Sequence, residues 1–402
     1  MLILKALLFV NFVFLTIFIG YHFLFLILYF HCRRTTSLQK QALPSTNPMR
    51  FAIVVPAHNE ATIIDRLLDS IVNLDYPKDM FDLLVIADNC TDETESIVAA
   101  RGFQCYPRQD QVNLGKPHAL NWFFQQIDLS RYDAVTIIDA DTELDSLYLK
   151  ALSVKFLQGA EVVQGYFGIM NPDDSWLTRL MVIPGVLKFG TRYFIKDKLG
   201  ISCPLMGNGM GFAIHIIQRY GWNAFSVTEN WEYYVMLSLQ GHVVRYDFNA
   251  VIFSHAVTAL SHGETQRKRW FKGRLSILKS YWFPLIECAI KRHGTSCLDT
   301  LIELASPSYS MLFIWAIISM FMALSMSYSG ILPWIWNFWA ALLLGLLIIL
   351  FISGLIISKA ARTTWLQLFY LPVFLVWKIF VTVKGMLSYR DKSWQKTERK
   401  ID

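Results

Sequence analysis

Between Ala6 and Phe30 no side chain is charged and almost none is polar, and the run leads directly into Arg33 and Arg34. About 25 residues of apolar helix are enough to cross a hydrocarbon core. A secretory leader has a shorter apolar region and a small-residue cleavage site, and the stretch from Tyr29 to Arg34 offers neither. The run is therefore expected to be an uncleaved anchor. The basic pair after it places the following residues on the cytoplasmic side and the N-terminus outside.

Further apolar runs come only near the other end: Ser308 to Tyr328, Ile331 to Ser358, and a weaker one from Thr364 to Leu387 that contains Pro372, Lys378 and Lys384. If all three crossed, the basic tail from Arg390 to Lys400 would lie outside, against the charge rule. The weaker run is thus expected to lie in the interface or to re-enter, with its lysine stems snorkelling. Gln266 to Leu301, basic and aromatic in alternation, is expected to form interfacial helices. The organisation expected is an anchor at 1–32, a globular domain at 45–265, interfacial helices at 266–305, membrane helices at 306–389 and a cytoplasmic tail at 390–402.

Composition agrees with a membrane protein. Of 402 residues, 54% are apolar or aromatic and 17% charged, where soluble domains carry about a quarter charged residues. The net charge of +6 is too small to indicate a nucleic-acid partner. Six cysteines without a C-x-x-C pair fit reduced thiols, with neither a zinc site nor a disulfide framework.

Within the globular stretch, Phe51 to Pro56 is a short apolar run, followed by helical spacing in Ile63, Ile64, Leu67, Leu68, Ile71 and Val72. Phe81 to Ala87 and Ala134 to Ile138 repeat the strand pattern, and 92–100 and 114–127 the helical one. Such alternation predicts an α/β fold with a parallel, doubly wound sheet that binds ligands beyond the carboxyl ends of its strands. Asn59-Glu60, Asp88-Asn89 and Asp139-Ala140-Asp141 each follow a strand, so three acidic positions converge on one edge.

Two aspartates spaced D-x-D at a strand end can share a hard divalent cation with a diphosphate. At Asp88 to Asp92, an N-cap by Asn89, Thr91 or Asp92 is compatible with Asp88 facing the cleft. Gly207-Asn208-Gly209 lacks the lysine of a phosphate loop but allows close backbone approach. Ser226 and Glu229 fit a capping box at the start of a helix. Gln266-Arg267-Lys268-Arg269-Trp270 joins guanidinium groups suited to phosphate with an indole that offers an apolar face, or else it forms a basic membrane-facing helix.

Pro56-Ala57-His58-Asn59-Glu60, Asp88, Asn113-x-Gly115-Lys116, Asp139-x-Asp141, Gly207-Asn208-Gly209, Thr228-Glu229-Asn230 and Gln266-x-x-Arg269-Trp270, in this order, resemble the membrane-bound family 2 glycosyltransferases. Cellulose, hyaluronan and poly-N-acetylglucosamine synthases are among them. The likeness covers about Phe51 to Arg274 and rests on the order of all seven motifs. It implies a GT-A fold with a mixed sheet, an N-terminal transmembrane anchor and C-terminal membrane helices. Pro56, Asn59, Glu60 and Asp88 would hold base and ribose of a nucleotide sugar, in the first place a UDP-sugar. Lys116, Gln266 and Arg269 would attend the diphosphate, and Asp139 and Asp141 would carry Mg2+ or Mn2+, with Asp141 the firmer ligand. Gly207, Asn208, Gly209 and Trp270 would face the acceptor. Trp394-x-x-Thr397-x-Arg399 also resembles a C-terminal signature of bacterial exopolysaccharide members.

One position departs from the family. Its T-E-D motif uses the aspartate as general base, and here that place is Asn230, whose amide takes no proton at neutral pH. Either Glu229 or Glu232 serves as base, or the chain lacks one, in which case Asn230→Asp should raise transfer. The expectation is an inverting, metal-dependent sugar transferase of a bacterial inner membrane with its catalytic domain in the cytoplasm. It would act on a polysaccharide or lipid-linked acceptor, with membrane lipid and a second copy or an export partner as associates. The alternatives are a glycolipid synthase resembling ceramide glucosyltransferases and a catalytically silent nucleotide-sugar-binding subunit.

Overall fold

A computed structural model describes residues 2–35, 48–291 and 294–387. The basic tail and its Trp394, Thr397 and Arg399 lie outside the described residues. The apolar start forms helix α1 (Leu2–Thr35). The globular stretch holds strands β1 (Phe51–Ala57), β2 (Phe81–Asp88), β3 (Gln104–Arg108), β4 (Ala134–Ile137), β5 (Thr142–Leu144), β6 (Val162–Ile169), β7 (Met210–Ala213) and β8 (Val244–Ser254). Its helices are α2 (Ile64–Val72), α3 (Thr94–Ala100), α4 (Lys116–Gln126), α5 (Tyr148–Leu157), α6 (Trp176–Gly185), α7 (Phe194–Lys198), α8 (Ile214–Tyr220) and α9 (Glu229–Leu239), with a π-helical stretch, Val186–Tyr193, joining α6 to α7.

The strands form one sheet in the order β3-β2-β1-β4-β7-β6-β8-β5. β1 pairs in parallel with β2 and β4, as the alternation predicts. β7 enters between β4 and β6 antiparallel to both, so the sheet is mixed rather than wholly parallel. Alternate residues of β1 face opposite cores: Phe51, Ile53 and Val55 pack with α2 and α5, while Ala52 and Val54 pack with α4, α8 and α9. Burial on both faces explains why β1 and β2 read as continuous apolar runs.

After β8 come α10 (Leu260–Lys291), α11 (Gly294–Ala305), α12 (Tyr309–Tyr328), α13 (Ile335–Ile357), α14 (Arg362–Leu366) and α15 (Leu371–Leu387). The expected interfacial helices begin earlier than residue 266, because α10 is one 32-residue helix starting at Leu260. Cys288 and Cys297 form a disulfide that joins the end of α10 to α11. This corrects the expectation that all cysteines are free thiols; Cys90, Cys105 and Cys203 are free.

Among the described residues, four helical stretches are long and apolar enough to cross a membrane: 3–33, 309–328, 335–357 and 362–385. Phe12, Leu15 and Ile19 of α1 pack with Leu312, Ala316, Leu343 and Leu347 of α12 and α13 in one buried core. Further along, Phe25 and Tyr29 pack on Ile195 of α7, so α1 continues along the globular domain. The last stretch is held at both ends by the layer beneath the bundle. Tyr370 stacks on Trp176 of α6 (ring centroids 5.3 Å apart), and Lys384 pairs with Glu264 of α10 (3.1 Å).

That layer contains a buried ionic cluster. Glu303 of α11 forms an ion pair with Arg192 (3.1 Å) and accepts from Lys196 (3.1 Å), and Lys196 also pairs with Asp299 at 2.6 Å. The Tyr21 hydroxyl donates to Asp299 (2.8 Å) and to Glu303 (3.1 Å), which ties α1 into the same cluster.

Candidate active site

The parallel register brings the carboxyl ends of β1, β2 and β4 to one edge, with Ala57 opposite Ala87 and Val54 opposite Ile137. Asn59 and Asn89, just past β1 and β2, take left-handed φ values of +54° and +53°, which asparagine tolerates better than most residues. The Asn59 Oδ1 accepts from the amide of Thr91 (2.7 Å), tying the two strand-end loops together. Glu60 donates its amide to Thr94 Oγ1 (2.9 Å), and Pro56 lies half-buried on β1 above them. Asp92 caps α3 by accepting from the Thr94 amide (3.0 Å), which leaves Asp88 to the cleft.

Asp88 has a partner that the sequence did not reveal. Arg108, at the end of edge strand β3 and only 4% exposed, donates to Asp88 (2.5 Å), to Asp110 (2.8 Å) and to the carbonyl of Asn113 (2.9 Å). The Gly115 amide also donates to Asp88, so the Asn113-x-Gly115-Lys116 segment closes over this carboxylate. Burial pushes the Asp88 carboxyl up, against the pull of Arg108.

Lys116 opens α4 and crosses the cleft floor, donating to Asp139 Oδ1 (2.5 Å) and to the carbonyl of Gly207. Asp141 stands half-buried beside β5. Gly207 and Gly209 take φ values of +88° and +65°, and a Cβ at Gly209 would meet the Ile252 side chain at 2.8 Å. Asn208 differs from expectation: its side chain is buried, accepting from the Asp139 amide (3.1 Å) and donating to Thr142 Oγ1 (2.7 Å). It therefore positions the D-x-D segment rather than facing an acceptor. Gln164 of β6, also missed, donates to the Asn208 carbonyl (3.0 Å) and accepts from the Met206 amide (2.8 Å), holding the glycine loop in place.

The start of α9 corrects the capping expectation. Glu232, not Glu229, reaches back to accept from the Ser226 amide (2.8 Å), and its other oxygen accepts from Tyr281 (3.4 Å). Glu232 is thereby engaged in holding the helix start. Glu229 lies where the charges of Lys116, Asp139 and Arg269 all act on it, and burial pushes its carboxyl up. Asn230 donates its amide to the carbonyl of Leu205 (2.6 Å), linking α9 to the glycine loop.

α10 roofs this end of the cleft. Arg269 acts on Glu229, and its Nε is buried without a hydrogen-bond partner. Gln266 is half-buried one turn earlier, and Trp270 is 50% exposed. Gly273 permits this approach, since a Cβ there would lie 2.6 Å from both Cγ2 and Oγ1 of Thr228. Gly273→Val should push α10 away from α9 and cost about 10²-fold in transfer, the scale of a 1 Å misplacement of positioning groups. Full transfer with an unchanged melting curve would show that α10 has room to spare.

With this geometry established, the comparisons with known proteins are specific. The family described as "Glycosyltransferase like family 2" matches residues 48–273, the region from β1 to Gly273 of α10. The probable glycosyltransferase YdaM of Bacillus subtilis is 24% identical over 388 residues, covering 87% of each chain. A beta-monoglucosyldiacylglycerol synthase of Nostoc is 26% identical over 253 residues, 61% of this chain and 52% of the synthase, so the match spans about half of that relative. Among solved structures, the mannosyltransferase PcManGT of Pyrobaculum calidifontis, in complex with GDP-Man and Mn2+, shares the fold with a TM-score of 0.54. It is 17% identical, and the match covers 87% of this chain and 99% of that one. The matched family region takes in more than half of the sequence and every cleft element from β1 to α10, and this chain belongs to the family 2 glycosyltransferases.

Proposed function

We propose that the chain transfers a sugar from a nucleoside diphosphate sugar, in the first place a UDP-sugar, to a hydroxyl on a membrane-held acceptor, with inversion. On this reading the site works at the cytoplasmic face of a bacterial inner membrane. The observation that carries this reading is the meeting of Glu229, Lys116, Asp139 and Arg269 in one cleft, roofed by the helix that leads to the apolar bundle. Pro56, Asn59, Glu60 and Asp88 form the nucleoside end, with Arg108 holding Asp88 in place.

Asp139 and Asp141 offer hard carboxylate oxygens at one strand end, and among the described residues no cluster of three metal-ligating side chains exists. Two carboxylates completed by substrate phosphate and water suit Mg2+ or Mn2+. Such a cation neutralises charge on the diphosphate as it leaves. Asp139 also pairs with Lys116, and the order of the motifs assigns Asp141 the role of firmer ligand. Lys116 and Arg269 add fixed positive charge for the leaving group, with Gln266 beside them. As the acceptor oxygen bonds to the anomeric carbon, the bond from that carbon to the diphosphate breaks and Glu229 takes the hydroxyl proton. Trp270 presents its half-exposed ring to the acceptor sugar.

Side chains fill the core among α1, α12 and α13, which favours an acceptor that remains at the membrane surface over a polymer threaded through this chain alone. The likeness to a glucosyldiacylglycerol synthase supports a lipid acceptor. A labelled transfer assay across UDP- and GDP-sugars, with membrane lipid extract and sized products, should give short glycolipid products; no transfer from any donor would overturn the proposal. Asp141→Asn should remove the cation-dependent part of nucleoside diphosphate affinity in calorimetry. Equal affinity with and without chelator in both proteins would remove the metal from the account.

A further inference from the structure

Outside the cleft, α10 and α15 bring together two cations that no carboxylate balances. Arg267 points away from the catalytic groups, and its guanidinium rests on the rings of Phe374 (5.5 Å) and Trp377 (4.8 Å) of α15. Its Nη1 is buried without a hydrogen-bond partner, and Nη2 reaches only the Met181 sulfur (3.5 Å). Lys378, directly after Trp377, turns to the same side, and the two positive charges repel each other. Among the described residues no anion acts on either. Glu264, the nearby carboxylate, is shared by Lys268 (2.5 Å) and Lys384 (3.1 Å).

Snorkelling does not explain the arrangement. The outward face of α15 is apolar, with Val373, Val376, Phe380 and Val383 all about half exposed or more, while Lys378 is partly buried near enough to Arg267 of α10 for the two charges to interact. Two like charges held together in apolar surroundings are costly unless a counter-anion joins them. An anion entering beside an exposed apolar stripe, on a helix with the composition of a membrane helix, is best supplied by a lipid head group.

We propose that Arg267 and Lys378 together bind the phosphate of an anionic phospholipid, whose acyl chains lie along the Val373–Val383 stripe of α15. The guanidinium supplies a planar donor fork for the phosphate and the ammonium a point charge. The rings of Phe374 and Trp377 hold the guanidinium so that little freedom is lost on binding. The site is separate from the sugar-transfer chemistry, and its test needs no activity readout.

The full chain would be reconstituted into nanodiscs of phosphatidylcholine with or without phosphatidylglycerol, and retained lipid counted by native mass spectrometry alongside thermal unfolding. Wild type should retain phosphatidylglycerol over phosphatidylcholine by about tenfold or more, and its unfolding midpoint should rise when phosphatidylglycerol is present. Arg267→Gln and Lys378→Met should each remove most of that preference, while the exposed control Lys291→Gln should keep it. Lys378→Met should also unfold at a higher temperature than wild type in phosphatidylcholine alone, because the repulsion is gone; this separates loss of the site from loss of the fold. Equal retention of both lipids by wild type would overturn the proposal. So would a Lys378→Met protein that is less stable in phosphatidylcholine yet still prefers phosphatidylglycerol, or an equal rise in midpoint with inorganic phosphate and no anionic lipid.

Discussion

Glu229→Gln should lower sugar transfer by about 10²–10⁴, the usual worth of a positioned general base, while nucleoside diphosphate binding changes little. Of the alternatives the sequence leaves open, Glu229, Glu232 or no base, the proposed reading takes Glu229. Asn230 is anchored as a donor to the Leu205 carbonyl, and Glu232 is occupied by Ser226 and Tyr281, so Glu229 is the carboxylate left among the charges of the cleft. Because burial pushes its carboxyl up, and only the ionised form accepts a proton, transfer should fall on acidification at a pH above the ordinary carboxylate range. In Glu229→Gln that acid limb should vanish along with the rate. Asn230→Asp should alter transfer by no more than about tenfold, since it exchanges a hydrogen bond for a carboxylate facing a carbonyl oxygen. A rise of about 10² or more in Asn230→Asp, with Glu229→Gln near wild type, would return the base to position 230.

Glu303→Ala should destabilise the protein by about 3–5 kcal/mol, because it leaves buried cations without their shared partner. Glu303 is 2% exposed and is contacted by Arg192, Lys196 and Tyr21, so one substitution loosens α11, the π-helical stretch and α1 together. Denaturant unfolding in detergent checks this, with Glu287→Ala on the exposed face of α10 as the neutral comparison. A midpoint for Glu303→Ala that matches Glu287→Ala would show the cluster to be energetically idle.

The three parallel strands β1, β2 and β4 were legible because each is a short apolar run that stops at a polar motif, and the strand-end rule then located the cleft. β7 was not, since Met210 to Ala213 is only four residues long and follows directly on the glycine loop. Arg108 was hidden for a similar reason: its edge strand is mostly polar and contains Pro107, so nothing marked its arginine as the partner of Asp88. Arg192 and Lys196 look in sequence like solvated charges, and only the arrival of Asp299 and Glu303 from about a hundred residues later makes them interior groups. The capping error at Glu229 came from spacing alone. Two glutamates lie within reach of Ser226, and the backbone entry into α9 decided which one bends back.

The contact between Gly273 and Thr228 lies near the middle of α10, only three residues from Trp270, and this has a mechanical consequence. From Gly273 to Trp270 is about 4.5 Å of helix, and from Gly273 to the far end at Lys291 about 27 Å, at 1.5 Å per residue. If the helix pivots on the Gly273 contact, sway at the Lys291 end reaches the indole reduced to about a sixth, in proportion to the two arms. The roof over the cleft can thus remain comparatively still while the far end of α10 moves.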